Sequence, residues 1–318
     1  MAASFLPEFH CSFISFPLHN IVFLLMGQSQ TSCFDESRFR DIIEYYDATR
    51  FDYQVAWLSR ENPAIHFGFY DHRADRHAAA LENTNLVLAE LAGLQPGWRI
   101  LDAGCGKGGS CLWLARHLEA RAVGITPVRH QVEEARRLAA GAGLSEQVSF
   151  RQADYCNTPF EEGSFDCVWA CESLCHAPEK AAFYREAYRL LRPGGRLVIA
   201  EYVRSGRPLS PAGETLLLGW LNRWAIPDID TCNEHFEHAQ KAGFGQFQIR
   251  DCTSYTWVSL KNLHKIARRW LWADYLLYGL GLRSKAQHNN IIGSIRQFRA
   301  LHQNLWFYAV ITAQKPGG

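Results

Sequence analysis

Between residues 98 and 202 short apolar runs alternate with longer amphipathic stretches. Runs at 98–102, 121–125, 147–151, 166–170 and 196–202 read as strands, and the stretches 109–118, 128–141 and 179–191 carry helical periodicity. This order predicts an α/β fold with a doubly wound, mostly parallel sheet covered on both faces, its ligand at the carboxyl ends of the strands. Arg192-Pro193-Gly194-Gly195 predicts a turn into the fifth strand.

Upstream, residues 36–60 predict an aromatic-rich helix broken at Asn62-Pro63. An aromatic loop, Ile65 to Tyr70, follows, then a second helix over 74–92, ended by Gly93 and Pro96-Gly97. After Ser210 the rhythm changes to an apolar stretch (215–225), a helix over 232–242 stopped by Gly243, a basic aromatic segment (256–282) and a closing strand (305–313). The expected organisation is an extension without fixed structure over 1–35, a helical cap over 36–97, the α/β core over 98–205, and a substrate-binding cap with closing strands over 206–318.

With 318 residues, 47% hydrophobic and 20% charged, the protein is long enough to bury a full core and has an ordinary soluble composition. Its net charge of +1 hides an asymmetry. From Lys241 to Gly318 there are eleven Lys/Arg against Asp251 and Asp274, which points to an acidic ligand or surface near the C-terminal part. The apolar run Ile21 to Met26 is too short to span a bilayer, and no Lys or Arg precedes it. Met26 is one of only two methionines, so translation is expected to start there, which the intact mass of the native protein would decide. Ten scattered cysteines without a secretory signal predict reduced thiols and a cytoplasmic location. Cys167, Cys171 and Cys175, followed by His176, lack zinc-site spacing and begin in a predicted buried strand, so no metal site is read there.

Candidate chemistry begins at Leu101-Asp102-Ala103-Gly104-Cys105-Gly106-Lys107-Gly108-Gly109. Gly104, Gly106 and Gly108 permit positive φ and close backbone approach to a ligand, while the helix beginning near Ser110 presents unpaired N–H groups. The spacing differs from the dinucleotide fingerprint and from the phosphate loop. Asp102, ahead of the glycines, suits a cation or an amine rather than a pyrophosphate. The segment resembles motif I of the class I S-adenosylmethionine (SAM) methyltransferases, which implies a Rossmann-like core. The resemblance also implies that Thr126 stands where an acidic residue ordinarily bonds the ribose, with Gln131 as a substitute. Asp154 would meet the adenine amino group, Tyr155 the ring, and Trp169 the methionyl end.

Glu172 to Pro178 (Glu-Ser-Leu-Cys-His-Ala-Pro), with Ile65-His66-Phe67 and the Tyr45-Tyr46 helix, resembles the C-methyltransferases that act on sterol side chains. Trp224 to Asp228 and Leu305 to Ala313 extend the resemblance to tocopherol methyltransferases. Such an activity implies attack of a C=C double bond on the sulfonium methyl, leaving a carbocation that needs a dry, aromatic cavity. Tyr46, Phe67, Phe69, Tyr70, Trp220, Trp224 and Trp257 are the candidate walls, and His66 a candidate for orienting the substrate. Glu172 is the candidate base or cation stabiliser, with His176 one helical turn on.

Lys261, His264, Lys265, Arg268 and Arg269 recur at three- and four-residue spacing, broadly on one helical face. Three readings fit: a solvated face, attachment to an anionic membrane with Trp270 and Trp272, or capture of a diphosphate by residues such as Lys265 and Arg268. The last favours a prenyl diphosphate, farnesyl or geranyl, as the isoprenoid acceptor, with Mg2+ accompanying the diphosphate and cyclisation as an additional step. Sterol, tocopherol or quinol-type C-methylation, small-molecule N-methylation and a SAM-binding module without turnover are the alternatives. Nucleic acid is not expected, since there is no Asn/Asp-Pro-Pro-Tyr motif and no basic reader domain.

Overall fold

In the computed structural model, residues 36–56 and 64–317 are described. Expectations for 1–35, the Met26 start included, and for the helix end and break at 57–63 lie outside them. The centre is one seven-stranded sheet in the order β3-β2-β1-β4-β5-β7-β6. Its strands are β1 (Arg99–Ala103), β2 (Arg121–Thr126), β3 (Val148–Gln152), β4 (Phe165–Cys171), β5 (Leu191–Arg204), β6 (Gly245–Asp251) and β7 (Trp306–Gln314). Pairing is parallel from β3 across to β5, and β7 runs antiparallel between β5 and β6.

Strand alternation divides the core. Ile100, Cys167, Trp169, Val198 and Ala200 pack on one face with α2 (His77–Ala92), α3 (Gly109–Leu118) and α6 (Pro211–Leu221). Leu101, Ala103, Val168, Ala170, Leu197 and Ile199 pack on the other with α5 (Lys180–Leu190) and α7 (Cys232–Ala242). α4 (Arg129–Gly141) covers β2 and β3 through Val132, Ala135 and Ala139. The strand order reverses between β2 and β4, on either side of β1, which opens a crevice at the carboxyl ends. α1 (Glu36–Ala56), α8 (Thr253–Gly279) and α9 (Lys285–His302) lie over it.

The pattern of strands and helices expected over 98–202 is present, with one difference. Arg192 to Gly195 does not precede the fifth strand but lies within it. Leu191 pairs with Phe165 and Arg196 with Cys167, so the extra residues are absorbed as an irregularity in the ladder. β6 and α9 have no counterpart in the sequence reading. β6 is a largely exposed edge strand paired only with β7, so its apolar alternation is weak. α9 begins with a capping box, in which Ser284 Oγ accepts from Gln287 N–H and Gln287 Oε1 accepts from Ser284 N–H. That signature is legible in sequence but lies in a polar run.

Among the described residues seven cysteines, the 167/171/175 set included, are free thiols. No described helix is long and apolar enough to cross a membrane.

The end of β5 is held to the cap by a buried guanidinium. Arg204, 2% exposed, donates to Asp228 Oδ1 at 3.1 Å and to the Gly206 carbonyl at 3.1 Å, and it pairs with Glu214 of α6. Arg204→Met should cost about 2 kcal/mol by urea or thermal unfolding, because Glu214 and Asp228 lose charge-assisted hydrogen bonds while staying partly solvated. A loss below about 1 kcal/mol, the range of exposed pairs, would show that the cluster is dispensable.

Candidate active site

β1 ends in a turn whose first two amides, Gly104 N–H and Cys105 N–H, both donate to the Ile125 carbonyl at 2.9 Å. Two glycines are required there by the protein itself. At Gly104 (φ +91°) a β-carbon would stand 2.3 Å from Ser173 Cβ, and at Gly108 (φ +81°) 2.6 Å from the Phe150 ring. Gly106 borders the cleft instead, with only the Ile65 side chain near the position of a β-carbon. Asp102, 2% exposed at the end of β1, accepts from the Cys111 thiol at 3.3 Å, and burial lifts its carboxyl to about 7. A buried carboxyl that pairs with no cation among the described residues, at the wall of the cleft, suits the amine or sulfonium of SAM.

Ser173 ties three strand ends together. Its hydroxyl donates to the Ala103 carbonyl, and its own carbonyl accepts from Tyr155 Oη at 3.0 Å. The preceding residue, Glu172, sits in the left-handed region (φ +51°), unusual for a residue with a side chain. Its Oε1 accepts from Phe67 N–H (2.6 Å) and Tyr308 Oη (2.9 Å), and its Oε2 from Tyr202 Oη (2.8 Å). Burial still wins over these three donors and lifts the carboxyl to about 8, with the nearby Glu201 charge adding to the rise. Glu201, fully buried, accepts from the amides of Cys175 and Tyr202 at 2.8 Å and so fastens the loop after β4 to β5.

Above these groups a cleft opens at the carboxyl ends of the strands. Asp102, Gly104, Gly106, Thr126, Gln131, Tyr155, Glu172, His176, Tyr46, His66, Phe67 and Trp224 all line it. Thr126 Oγ1 donates to Gln131 Oε1 at 2.8 Å, which leaves the Gln131 amide NH2 as that pair's donor.

Other expected site residues lie elsewhere. Gly108 packs on Phe150, and Asp154 accepts from Cys156 N–H at 2.8 Å with its carboxyl lifted to about 6 by burial. Trp169 is fully buried in β4, opposite Asp102 in the ladder. Phe69 stacks on Tyr255, Trp220 supports Trp224 and Tyr202 from behind, and Trp257 packs on Phe298 and His302. Lys265 and Arg268 are exposed on α8, which presents Leu263 to the cleft instead. Lys107, 4% exposed and 3.0 Å from Glu134, is the one lysine or arginine among the described lining residues.

His176 also differs from expectation. Residues 172–176 do not form an α-helix, and His176 does not bond Glu172. Its Nδ1–H donates to the Ala225 carbonyl (3.2 Å), which makes Nε2 the acceptor for Tyr46 Oη (3.0 Å). Burial lowers its pKa to about 4, so it is neutral and serves to hold α1 against the turn at Ala225. His66, likewise lowered to about 4 by burial, bonds the Phe67 carbonyl at 3.1 Å.

The sequence reading missed Tyr202 and Tyr308. They face each other in the β5–β7 register, so their hydroxyls converge on Glu172, although they are 106 positions apart in the sequence. No local pattern announces that pairing. Among the described residues, no group of three or more His, Cys, Asp or Glu is arranged to hold a metal ion.

Gly104→Ala should push Ser173, and with it Glu172, out of place. A loss of at least about 2 kcal/mol in stability, together with weaker SAM binding by calorimetry, is expected from strain at positive φ plus overpacking. Unchanged binding and stability would show that the turn can yield.

A family model described as a methyltransferase domain matches residues 101–199. Methyltransferase GfsG of Streptomyces halstedii is 31% identical over 219 residues, 68% of this chain and 77% of that protein. The 27-O-demethylrifamycin SV methyltransferase of Amycolatopsis mediterranei is 31% identical over 79% of this chain and 90% of its own. The sterol 24-C-methyltransferase of Saccharomyces cerevisiae is 33% identical, over 54% of this chain and 45% of the yeast protein. Among solved structures, the [4+2]-cyclase SpnF superposes with a TM-score of 0.71 at 26% identity, covering 88% of this chain and 97% of SpnF. Geranyl diphosphate C-methyltransferase from Streptomyces coelicolor superposes at 0.66 and 19% identity, covering 87% of this chain and 97% of its own, a likeness of fold. The sheet order, the glycine turn after β1 and the two relatives matched over most of their length agree that this chain belongs to the class I SAM-dependent methyltransferases.

Proposed function

We propose that the enzyme methylates a carbon of an isoprenoid double bond and that Glu172 takes the proton the resulting cation sheds. The observation that carries this reading is the Glu172 carboxyl, set at the wall of an aromatic cleft and held by Phe67 N–H, Tyr202 and Tyr308. SAM, when bound, supplies an electrophilic methyl group. Asp102 would meet its amine, the Gln131 NH2 would serve as a donor to the ribose, and Tyr155 would pack on the base. Tyr46, Phe67, Tyr202 and Trp224 line the cleft with aromatic rings, whose faces attract a cation and whose bulk excludes water. Two tyrosine hydroxyls stabilise Glu172 as a carboxylate, and a positive charge arriving in the cleft adds to that effect.

The acceptor we favour is an uncharged isoprenoid. A diphosphate would need cations, and the residues expected to bind it, Lys265 and Arg268, lie outside the cleft while Lys107 is paired with Glu134. A prenyl diphosphate is the second reading, supported by the geranyl diphosphate enzyme on the same fold; Mg2+ would then enter with the diphosphate. The reading ends at proton loss and includes no cyclisation. An acceptor panel of sterols and other neutral isoprenoids, prenyl diphosphates, tocopherol-type phenols and amines tests it. Turnover confined to phenols or amines would rule out methylation of an isoprenoid double bond.

Glu172→Gln should lower kcat by about 10²–10⁴-fold, the usual contribution of a positioned base, and full activity in this variant would remove Glu172 from the reaction. The same variant should gain in stability at higher pH. Burial raises the folded-state pKa from 4.5 to about 8, so the native state holds this proton more tightly than the unfolded polypeptide. That stabilisation is complete below the unfolded value and is lost as pH rises through about 8. The difference in Tm between variant and wild type should therefore widen in the variant's favour with rising pH. Tyr202→Phe and Tyr308→Phe each remove a donor to the carboxylate, and each should move the acid limb of the kcat/KM profile upward by roughly one unit. An unshifted limb would separate the tyrosines from the titration of Glu172.

A further inference from the structure

The far side of α8 carries a surface that the cleft does not use. Thr256, Leu260, Ala267 and Asp274 form its buried face, while Lys265, Arg269, Trp272 and Leu276, spaced four, three and four residues apart, form one stripe pointing outward. Toward its end Asp274, Tyr275 and Tyr278 hold the helix to His288 of α9, while its other side is left in solvent. Trp272 is 72% exposed, and Leu280 and Leu282, just beyond, are 63% and 70% exposed, with Trp270, Tyr275 and Leu276 each above half. Soluble monomers rarely leave so many large apolar side chains together in water. Before this tip lie Lys261, Lys265, Arg268 and Arg269, none of which forms an ion pair among the described residues.

We propose that this stripe docks the enzyme on an anionic phospholipid surface, with the tryptophan and leucine side chains at the tip entering the interface and the four basic side chains reaching lipid phosphates. Tryptophan and tyrosine favour that boundary, and each basic group near an anionic leaflet adds to the attraction. Charge complementarity selects this occupant over a second copy of the protein. A second copy would bring no carboxylate on the same stripe to pair with these four cations, whereas lipid phosphates would. The same helix supplies Leu263 to the cleft wall, so the docked surface lies against an element that bounds the cleft.

The test is co-sedimentation of the full-length protein with vesicles of phosphatidylcholine alone or mixed with phosphatidylglycerol, with tryptophan fluorescence as a second readout. Binding to the anionic vesicles with a blue shift is expected, weakened by salt and slight with phosphatidylcholine alone. Replacing Lys261, Lys265 and Arg269 together with Gln should reduce partitioning about 100-fold. The pair Trp272→Ala and Leu276→Ser should reduce it by a similar factor with the circular dichroism spectrum unchanged. Absence of binding to anionic vesicles, equal binding to both compositions, or wild-type binding by both variants would overturn the proposal. So would a stable dimer in sedimentation that the tip variant dissolves while vesicles capture nothing.

Discussion

The site depends on keeping one carboxyl in an apolar cleft without neutralising it by a cation. Glu172 meets this constraint with a left-handed backbone and three donors, one amide and two phenols, in place of a lysine or arginine. A cation at that point would hold the carboxylate far below neutrality and would repel a positively charged methyl donor. Phenols donate hydrogen bonds without bringing a charge, so burial can lift the carboxyl into the range where it changes state near physiological pH.

That arrangement spreads through the sheet. Glu172 follows β4, Tyr202 lies on β5 and Tyr308 on β7, so the antiparallel return of β7 between β5 and β6 is what brings the second phenol into reach. Glu201 and Ser173 then hold the loop itself, the first from β5 and the second through the ends of β1 and β3. Gly104 has no room for a β-carbon because Ser173 occupies that space, which makes the glycine turn and the Glu172 loop one packed unit.

The helical cap is fastened by polar contacts around an apolar interior. Tyr46 reaches the neutral His176, Tyr45 donates to Asn290 of α9 at 3.0 Å, and Asp52 pairs with Arg283 at 2.8 Å. Each joins α1 to a different part of the body, so the aromatic walls of the cleft are set by several distant bonds rather than by one interface. His176, near Glu172, bonds Tyr46 and the Ala225 carbonyl and so helps to hold this cover.

The alternation of apolar runs with helices, the glycine turn and the Glu172 segment were legible because each is a local pattern with a local physical cause. Strand burial demands continuous apolar residues, a tight turn demands positive φ, and the order of elements leaves few topologies. Together these determined the fold class and the family. The tertiary structure alone decided which side chains face that cleft. Trp169, Trp220 and Trp257 have the composition of a cavity wall yet serve as core and support, and Lys265 and Arg268 sit on the outer side of a helix that meets the cleft through Leu263. Tyr202 and Tyr308 became partners of Glu172 through a strand register spanning a third of the sequence. Orientation and long-range register depend on how whole elements pack, and no window of sequence contains that information.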